Sequence, residues 1–479
     1  MTEPCDLTAR SARRLIGRKR LSPIELLESC IARIEMTNTS VNAVVATCYD
    51  RARDEARAAT DAVLRGDTLG VLHGLPLGVK DLNDTAGLVT TYGSPIYADH
   101  VPAADETLVA RLRESGAIVV GKTNTPEFGA GANTTNPVYG ATRNPFDLAR
   151  ICGGSSGGSA VALATNMLPI CTGSDSGGSL RIPAAFCGVV AHRSTPGLVP
   201  TEKHRLGYTT FGVQGPMGRT VDDVAMMLSV MARYGPQDPL SSPVDGGQFA
   251  ALPEIDLGKL RVAFSADLGF AHVDRSIAKT FTERAESFQS VFHEARWQDP
   301  ELQTVRRTNH VLRALHFLSR HRDHYQNMRD KLGPNVVANY EMALKLTADE
   351  ITWALAEQTS LHRAMQRFFQ EVDILICPAV AIPPFPVEKL YCDEINGTKL
   401  DTYFEWLAMT WGLTIPGNPV TCLPCGMEPS GAPFGLQICG RHHEDRFVLG
   451  IAKALESHFA GNPATARPLP DIKRLAAAA

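Results

Sequence analysis

The sequence has no long apolar segment and no excess of charge of one sign. No run of about 18 apolar residues occurs, so neither a membrane-spanning helix nor a membrane partner is expected. The 47 Lys and Arg residues are nearly balanced by 51 Asp and Glu residues, which gives a net charge of −4 and no electrostatic basis for a nucleic-acid partner. Residues 1–6 are polar and lack the apolar core of a signal peptide, which predicts a cytoplasmic location.

Complete metal-binding motifs are also missing. Cys422 and Cys425 form a C-x-x-C pair, but no second pair completes a zinc site, so neither a metal nor another cofactor is expected. The 11 cysteines are an odd number in a chain that is large enough to bury a core without cross-links. This count favours free thiols in a reducing compartment over a disulfide framework.

Two glycine-serine clusters, at residues 153–159 and 173–183, are the most informative feature that is present. Glycine lets the backbone approach a ligand closely, and serine offers a hydroxyl and a backbone N–H at the same place. Nucleophilic attack on a carbonyl needs both an attacking oxygen and donors for the oxyanion that forms. Plain loops and phosphate nests at helix N-termini are the alternatives, but no Walker pattern follows either cluster.

Before both clusters in the sequence, the segment 74–81 contains a lysine that follows a run of mostly apolar residues. A serine hydroxyl needs a base to become a good nucleophile, and no histidine lies in or beside either cluster. A lysine can be that base if burial lowers its pKa far enough to leave it neutral. Lys80 follows the apolar residues 77–79, which favours burial, and Asp81 points to the opposite face of a strand, so the two need not pair.

These three segments resemble the amidase signature family, which is defined by a Ser–cisSer–Lys triad. The resemblance implies that Lys80 is the family's lysine, Ser155 its bridging serine and Ser179 its nucleophile, and the serines have the family's separation of 24 residues. It covers most of residues 20–235 and returns weakly at 417–419 and 435–440. It implies a stand-alone amidase with an α/β fold, in which helices cover both faces of a mixed, mostly parallel central sheet.

The triad predicts a proton relay in which Ser179 passes its proton to Ser155, and Ser155 passes its own to Lys80. Ser179 then attacks an amide carbonyl, the leaving amine takes the proton back, and water hydrolyses the acyl-enzyme. The oxyanion hole is predicted from backbone N–H groups of the second cluster, those of Ser176, Gly177, Gly178 and Ser179. Residues 153–157 also match the nucleophile elbow of α/β-hydrolases, but the residues before them do not form a strand pattern, so this alternative ranks lower.

Two further groups are candidates for substrate contacts. Gly129, Gly131 and Ala132 would let the backbone approach a substrate, although a plain turn is the preferred interpretation. Trp406 and Trp411 belong to an aromatic segment that would form the wall of an apolar pocket, with an ordinary core as the alternative.

Two charged residues near the clusters are interpreted as structural. Arg181 is expected to pair with Asp175 and hold the second cluster in shape, in preference to a role as a substrate clamp. Lys122 ends an apolar strand pattern and is expected to be solvated.

The predicted elements divide the chain into a helical lead-in at 1–70, an amidase signature core at 71–235 and the remainder of the same domain at 236–479. This remainder contains a helical insert at about 302–371 and a variable pocket region at about 378–415. A capping box at Ser22 opens a helix that ends near Glu35, and strands are predicted at 75–79, 117–121, 168–172, 260–264 and 373–377. The insert is rich in Arg and His, and solvated amphipathic helices are preferred there over a cap on the pocket or a dimer surface.

The sequence therefore predicts an amidohydrolase that cleaves the C–N bond of a small or aryl amide, with carbamates in the same class of reactivity. The expected partners are this small molecule and a second copy of the chain in a homodimer. The alternatives are the glutaminase subunit of a tRNA-dependent amidotransferase and a non-catalytic binding protein on the same fold. The second has no chemical need for Lys80, Ser155 and Ser179 together.

Overall fold

The computed structural model of the protein describes residues 3–478. The α-helices in this range are α1 (Ala9–Gly17), α2 (Pro23–Val41), α3 (Tyr49–Arg65), α4 (Thr107–Glu114), α5 (Gly157–Ala164), α6 (Arg181–Cys187), α7 (Val221–Met231), α8 (Arg275–Phe288), α9 (Val305–Met328), α10 (Pro334–Ala343), α11 (Ala348–Glu371), α12 (Ala408–Thr414), α13 (Asp445–Ala460) and α14 (Ile472–Ala477). None of these helices combines the length and the apolar character that crossing a membrane requires.

Most of the strands form one sheet at the centre of the molecule. The strands are β1 (Val44–Thr47), β2 (Pro76–Lys80), β3 (Ile118–Thr123), β4 (Thr135–Asn136), β5 (Gly140–Ala141), β6 (Ile170–Asp175), β7 (Val190–Arg193), β8 (Val213–Gly218), β9 (Arg261–Phe264), β10 (Glu294–Trp297), β11 (Ile374–Pro378), β12 (Glu394–Ile395), β13 (Thr398–Lys399), β14 (Val420–Met427) and β15 (Pro433–Cys439). The central sheet has 11 strands in the order β1-β3-β2-β6-β8-β7-β14-β15-β11-β9-β10, while β4-β5 and β12-β13 are separate hairpins.

The expected mixed sheet is confirmed. Its parallel pairs form two groups, with β2 between β3 and β6 on one side and β9 between β10 and β11 on the other. The strands between these groups pair antiparallel, and so does β1 at the edge. The β14–β15 hairpin accounts for part of this antiparallel centre, which the alternation of strand and helix patterns in the first half of the chain did not predict.

Helices cover both faces of the sheet, as expected. Successive side chains of a strand point to opposite faces, so Ile118 and Val120 of β3 belong to one hydrophobic core and Val119 belongs to the other. Helices α5, α6, α9, α11 and α12 contribute to the first core, and α1, α4, α7, α8 and α13 contribute to the second. Both cores extend across the segments at 71–235 and 236–479, whose boundaries stay a prediction.

The predicted elements are present with small changes in their ends. Each predicted strand lies within three residues of the observed one. The helix that begins after Ser22 extends to Val41 instead of Glu35. Its last turns are polar in sequence, but Thr37 Oγ1 donates to Arg33 O at 2.8 Å and Ser40 Oγ donates to Thr37 O at 2.8 Å, so the hydroxyls are satisfied within the helix.

Candidate active site

Three chain segments bring the predicted triad to one edge of the sheet. Lys80 is the last residue of β2, and β6, its parallel neighbour, leads directly into the second glycine-serine cluster. Parallel neighbours end at the same edge, which places Lys80 beside the loop that carries Ser179. Ser155 lies in the loop before α5 and is preceded by a cis peptide bond from Gly154.

Lys80 is fully buried and its amino group is surrounded by hydroxyls. Its Nζ lies 2.7 Å from Ser155 Oγ, 2.8 Å from Ser156 Oγ and 3.0 Å from Ser174 Oγ. Burial lowers the pKa of Lys80 from 10.5 to about 7, with Asp175 opposing this shift and Arg320 adding to it. A lysine in this setting is neutral in a large fraction of molecules near pH 7, so its nitrogen can accept a proton from a hydroxyl.

The neighbouring carboxyl of Asp81 does not pair with Lys80. It accepts from Thr91 instead, at 2.6 Å from the hydroxyl and 3.2 Å from the backbone N–H. Burial raises the pKa of Asp81, while Lys122 and Thr91 counteract that rise. The expected separation of these two adjacent side chains is therefore present.

A buried ion pair shapes the second cluster. Asp175 Oδ2 accepts from Arg181 Nε at 2.9 Å, and Asp175 Oδ1 accepts from Arg181 Nη2 at 3.0 Å, with both side chains fully buried. Arg193 Nη1 lies 3.4 Å from the same carboxylate. Burial alone would raise the pKa of Asp175, but Arg181 and Arg193 hold it well below its ordinary value. Arg181 therefore has the structural contact expected of it.

The same carboxylate occupies two of the predicted oxyanion donors. Gly178 N–H donates to Asp175 Oδ1 at 2.8 Å, and Gly177 N–H donates to it at 3.2 Å. Among residues 3–478, the backbone N–H groups of Ser176 and Ser179 have no hydrogen-bond acceptor. The structure thus places Gly177 and Gly178 in the support of the loop and leaves Ser176 and Ser179 as its free donors.

Ser155, Ser176, Gly177 and Ser179 line one cavity of about 60 Å³. Within the described residues, no hydrogen bond links Ser179 Oγ to Ser155 Oγ, although both hydroxyls face this space. Ser179 is half-buried, so its hydroxyl remains accessible to a ligand.

Of the predicted substrate contacts, Gly129, Gly131 and Ala132 lie on the cavity wall. A Cβ on Gly129 would come within 3.3 Å of Ser155 Oγ, and both glycines have positive φ angles, +72° and +137°. This turn therefore lets the backbone come close to a substrate in the cavity, the interpretation that ranked below a plain turn in the sequence analysis.

The two tryptophans lie elsewhere. Trp406 and Trp411 are 1% exposed and belong to the core, where Trp411 Nε1 donates to Phe404 O at 3.0 Å. Within the described chain, Leu407 lines the cavity from this segment and the tryptophans do not. The alternative of an ordinary core fits them, because both side chains belong to the hydrophobic core.

The helical insert supplies one wall of the cavity. Five residues of α9 face it, namely Arg313, His316, Phe317, Arg320 and His321. The preferred interpretation of solvated amphipathic helices is wrong for this face of α9. The sequence already indicates that these five residues share one helix face, because they follow the i, i+3, i+4, i+7, i+8 spacing. A solvated face is expected from sequence because it carries charged side chains where a buried face is usually apolar.

Lys122 is buried instead of solvated. Its Nζ donates to the carbonyl of Asn83 and to Thr85 Oγ1, the latter at 3.1 Å. Burial lowers the pKa of Lys122 to about 8, opposed mainly by Asp81. Sequence reasoning could not find these acceptors because they come from the loop after the neighbouring strand.

The position of Ser156 and Ser174 next to Lys80 was also missed, although both lie in the clusters. In the part of the chain that the structure covers, no group of three His, Cys, Asp or Glu side chains is placed to hold a metal ion.

Comparisons with known proteins identify the family of the chain. The Amidase family matches residues 25–449 of the chain. An acylamidase of Rhodococcus erythropolis is 32% identical over 445 residues, which cover 92% of this chain and 93% of that protein. A glutamyl-tRNA(Gln) amidotransferase subunit of Moorella thermoacetica is 34% identical over 478 residues, which cover 94% and 96%.

Solved structures show the same fold. The crystal structure of a bacterial aryl acylamidase of the amidase signature family has a TM-score of 0.88 and 26% identity, covering 97% of this chain and 99% of that one. A 6-aminohexanoate cyclic dimer hydrolase complexed with substrate has a TM-score of 0.86 and 25% identity, covering 98% and 100%.

The chain therefore belongs to the amidase family, as the motif resemblance implied. It is an amide C–N hydrolase that acts on a small-molecule amide. This conclusion excludes the alternative of a non-catalytic binding protein.

Proposed function

We propose that the protein hydrolyses a small or aryl amide through an acyl-enzyme on Ser179, with Ser155 as the proton bridge and Lys80 as the base. The observation that carries this proposal is the 2.7 Å contact between Lys80 Nζ and Ser155 Oγ, beside a cavity that Ser179 also lines. The lowered pKa of Lys80, about 7, supports its role as a base near neutral pH.

In the first step, Ser179 Oγ bonds to the amide carbon while its proton moves to Ser155 and the Ser155 proton moves to Lys80. The carbonyl oxygen becomes an oxyanion, and the unpaired backbone N–H groups of Ser176 and Ser179 are the donors proposed to stabilise it. The C–N bond then breaks, and the leaving amine takes a proton that returns from Lys80 through Ser155. Water then attacks the acyl carbon and gives a proton to Lys80 through Ser155. The bond from this carbon to Ser179 Oγ breaks, Ser179 takes the proton back through the same relay, and the acid is released. The Ser179–Ser155 contact must tighten when substrate binds, as is usual for catalytic contacts in free enzymes.

The cavity wall supports an aryl or other small apolar group. Phe128, Phe211 and Phe317 line the cavity together with the catalytic serines. Relatives with the names acylamidase and aryl acylamidase are consistent with this choice. Carbamates can react by the same acyl-transfer chemistry, so we include them in the proposed substrate range as poorer substrates than amides.

A second candidate is the activity of a glutaminase subunit in a tRNA-dependent amidotransferase. Relatives that are named as glutamyl-tRNA(Gln) amidotransferase subunits match this chain at 30–34% identity over at least 92% of its length. This candidate requires strict dependence on glutamine and a partner protein that receives ammonia.

The experiment compares hydrolysis of aryl amides, aliphatic amides, aryl carbamates and glutamine by wild type, Ser179→Ala and Ser242→Ala. Ser242 is an exposed serine outside the cavity and is the control for loss of a hydroxyl. We expect turnover of an aryl amide by wild type and Ser242→Ala, and loss by Ser179→Ala. Turnover of glutamine alone would favour the second candidate, and full activity of Ser179→Ala would refute the proposed nucleophile.

A cytoplasmic location and a homodimer remain part of the proposal. The 11 cysteines are all free, which supports a reducing compartment. Size-exclusion chromatography with light scattering measures the assembly state directly.

A further inference from the structure

One face of α9 brings two arginines into the active-site cavity. Arg313 and Arg320 are seven residues apart, which places them about 10 Å apart along the same helix face. His316, Phe317 and His321 complete this face. A helix that packs on a core normally buries apolar side chains at these positions, so two cations here need an explanation from function.

The two guanidinium groups have no carboxylate partner among residues 3–478. Arg320 is exposed, lines the cavity and makes no hydrogen bond to the described residues. Arg313 is buried and oriented from behind, because its Nε donates to Asn339 Oδ1 at 3.0 Å and its Nη2 donates to Tyr403 OH at 2.6 Å. Its remaining Nη1 lies 3.8 Å from the position that a Cβ on Gly177 would occupy.

The acidic residues near this site are already paired. Glu106 and Asp84 share Lys203, at 3.1 and 2.5 Å, and Asp175 is held by Arg181 at 2.9 Å. No aspartate or glutamate of the described chain lines the cavity. The positive charge of the two arginines is therefore not neutralised by the protein itself.

The histidines on the same face do not add charge, but they add an unsatisfied polar atom. Burial lowers the pKa of His316 to about 3 and that of His321 to about 2, with Arg320 contributing to both shifts, so both rings are neutral at pH 7. Within the described range, His316 Nδ1 is buried and has no hydrogen-bond partner. The cavity thus combines two cationic groups that have no carboxylate partner with a polar atom that has no hydrogen-bond partner within the described range.

We propose that the amide substrate carries a carboxylate, which Arg320 binds with help from Arg313. This inference rests on the proposed function and names its substrate class. A guanidinium offers two parallel N–H groups that match the two oxygens of a carboxylate, and the partly enclosed cavity strengthens such a pair. The carboxylate lies on the side of the substrate that faces α9.

The test uses two matched pairs of substrates. The 4-nitroanilide of glutaric acid is compared with 5-methylhexanoyl-4-nitroanilide, in which two methyl groups replace the carboxylate oxygens on the acyl side. Likewise, 4-acetamidobenzoate is compared with 4-isopropylacetanilide, which makes the same replacement on the amine side. We expect the anionic member of one pair to have a kcat/KM at least 10-fold higher than its isostere, since a charged hydrogen bond contributes roughly 10- to 100-fold. The pair that shows the preference identifies the side that carries the carboxylate.

Arg320→Gln is expected to remove this preference, and Arg320→Lys to retain part of it. Arg322→Gln is the matched control, because Arg322 is an exposed arginine of the same helix that does not line the cavity. Equal change of both members of each pair in Arg320→Gln, with a shifted pH profile, would mean that Arg320 acts only through Lys80 and would overturn the inference.

A second readout separates this inference from the proposed function. Labelling of Ser179 by a fluorophosphonate is measured with and without glutarate or benzoate. Protection by the anion in wild type and Arg322→Gln, but not in Arg320→Gln, supports the carboxylate site. Hydrolysis of both isosteres as fast as the anionic substrates overturns the inference and leaves the amidase proposal intact. Absence of both labelling and turnover counts against the proposed function itself.

Discussion

At the scale of single residues, the site depends on two buried lysines with different neighbours. Lys80 is surrounded by three serine hydroxyls, whereas Lys122 donates to a backbone carbonyl and a threonine and lies near Asp81. Burial lowers the pKa of both, to about 7 and about 8. Only Lys80 contacts a hydroxyl that lines the cavity, so the same physical effect produces a base in one place and a structural cation in the other.

The first prediction concerns the pH dependence of catalysis. Because the neutral form of Lys80 is the base, kcat/KM should rise tenfold per pH unit below pH 7 and level off above it. Lys80→Met should lose activity by about 10²- to 10⁴-fold and lose the inflection. The measurement is a pH–rate profile with a neutral aryl amide from pH 5 to 9.

Lys122→Met is the matched control for this prediction. It removes a second buried lysine from the neighbouring strand. The free energy of unfolding should fall by roughly 1–3 kcal/mol, because the buried carbonyl of Asn83 loses its charged donor and keeps only the Thr85 hydroxyl at 3.3 Å. The inflection near pH 7 should stay in place. If the inflection is lost in Lys122→Met but kept in Lys80→Met, the base is Lys122 and the proposed role of Lys80 is wrong.

The second prediction concerns the charge that holds the nucleophile loop. Asp175→Asn leaves Arg181 and Arg193 buried without a counter-charge, so the free energy of unfolding should fall by about 3–5 kcal/mol. Activity should fall as well, because the carboxylate accepts from backbone N–H groups of this loop with both oxygens, from Gly177 and Gly178 with Oδ1 and from Leu180 with Oδ2, whereas the amide keeps only one acceptor oxygen. Urea denaturation and kcat measured at low temperature separate the two effects.

Asp147→Asn is its control. Asp147 pairs with Arg150 at 3.0 Å on the surface, where both side chains are at least one-third exposed, so its loss should change stability by less than about 1 kcal/mol. Equal destabilisation by the two variants would show that the charge of Asp175 is not what stabilises the loop.

At the scale of elements, the loop between β6 and α6 is held from outside as well as from within. Thr410 Oγ1 of α12 donates to Gly177 O at 2.7 Å, and a Cβ on Gly178 would lie 2.1 Å from this same hydroxyl. Gly178 also has a φ of +122°, which side chains rarely adopt. The contact with α12 therefore fixes the position of the loop that carries Ser179, and it does so beside Gly178, where no larger side chain fits.

The third prediction follows from this contact. Gly178→Ala should displace the loop and lower kcat by about 10²- to 10³-fold, the range for loss of an oxyanion donor. Gly397→Ala controls for positive φ alone, since Gly397 has a φ of +86° with nothing within 4 Å of its Cβ position, and it should retain activity. Steady-state kinetics of both variants makes the comparison. Similar activity in both would mean that the loop can move away from Thr410.

The elements also show why prediction from sequence succeeded in one place and failed in another. Strands β2 and β6 and the two glycine-serine clusters could be predicted because short apolar runs and dense glycine are local signals. The face of α9 could not, because whether a charged stripe meets water or a cavity depends on packing between distant segments. The end of the helix after Ser22 was mispredicted for a different, local reason: its last turns are polar, but Thr37 and Ser40 satisfy their hydroxyls within the helix.

At the scale of the whole molecule, the protein carries its thiols in its interior. All 11 cysteines are free, and nine of them are buried, whereas Cys48 and Cys392 are only partly buried. Burial raises the pKa of every one of these thiols, for example to about 12 for Cys152 and Cys377. Their titration is therefore coupled to unfolding of the whole chain.

The last prediction is that the protein loses stability at alkaline pH. The folded pKa of these thiols lies above the unfolded value of about 8.5, so their contribution to stability is complete below pH 8.5 and is lost as the pH rises toward 12. Each buried thiol then costs about 1.4 kcal/mol per pH unit, because the unfolded chain releases a proton that the folded chain retains. Lys80 and Lys122 act in the opposite sense, but they are two groups against nine.

For nine thiols, less the two opposing lysines, the loss between pH 8 and pH 10 amounts to more than about 10 kcal/mol, which is comparable to the whole free energy of unfolding of a typical protein. Urea denaturation under reducing conditions should therefore find a folded protein at pH 8 and a largely unfolded one at pH 10. In native protein at pH 8, an aromatic disulfide reagent should modify Cys392 and Cys48 and leave the nine buried thiols unreacted until the chain unfolds. The double variant Cys48→Ser, Cys392→Ser should abolish the fast reaction without moving the pH dependence, since the buried thiols cause it. Equal stability at both pH values would refute the prediction, because it would mean that the buried thiols titrate in the folded protein at the same pH as in the unfolded chain.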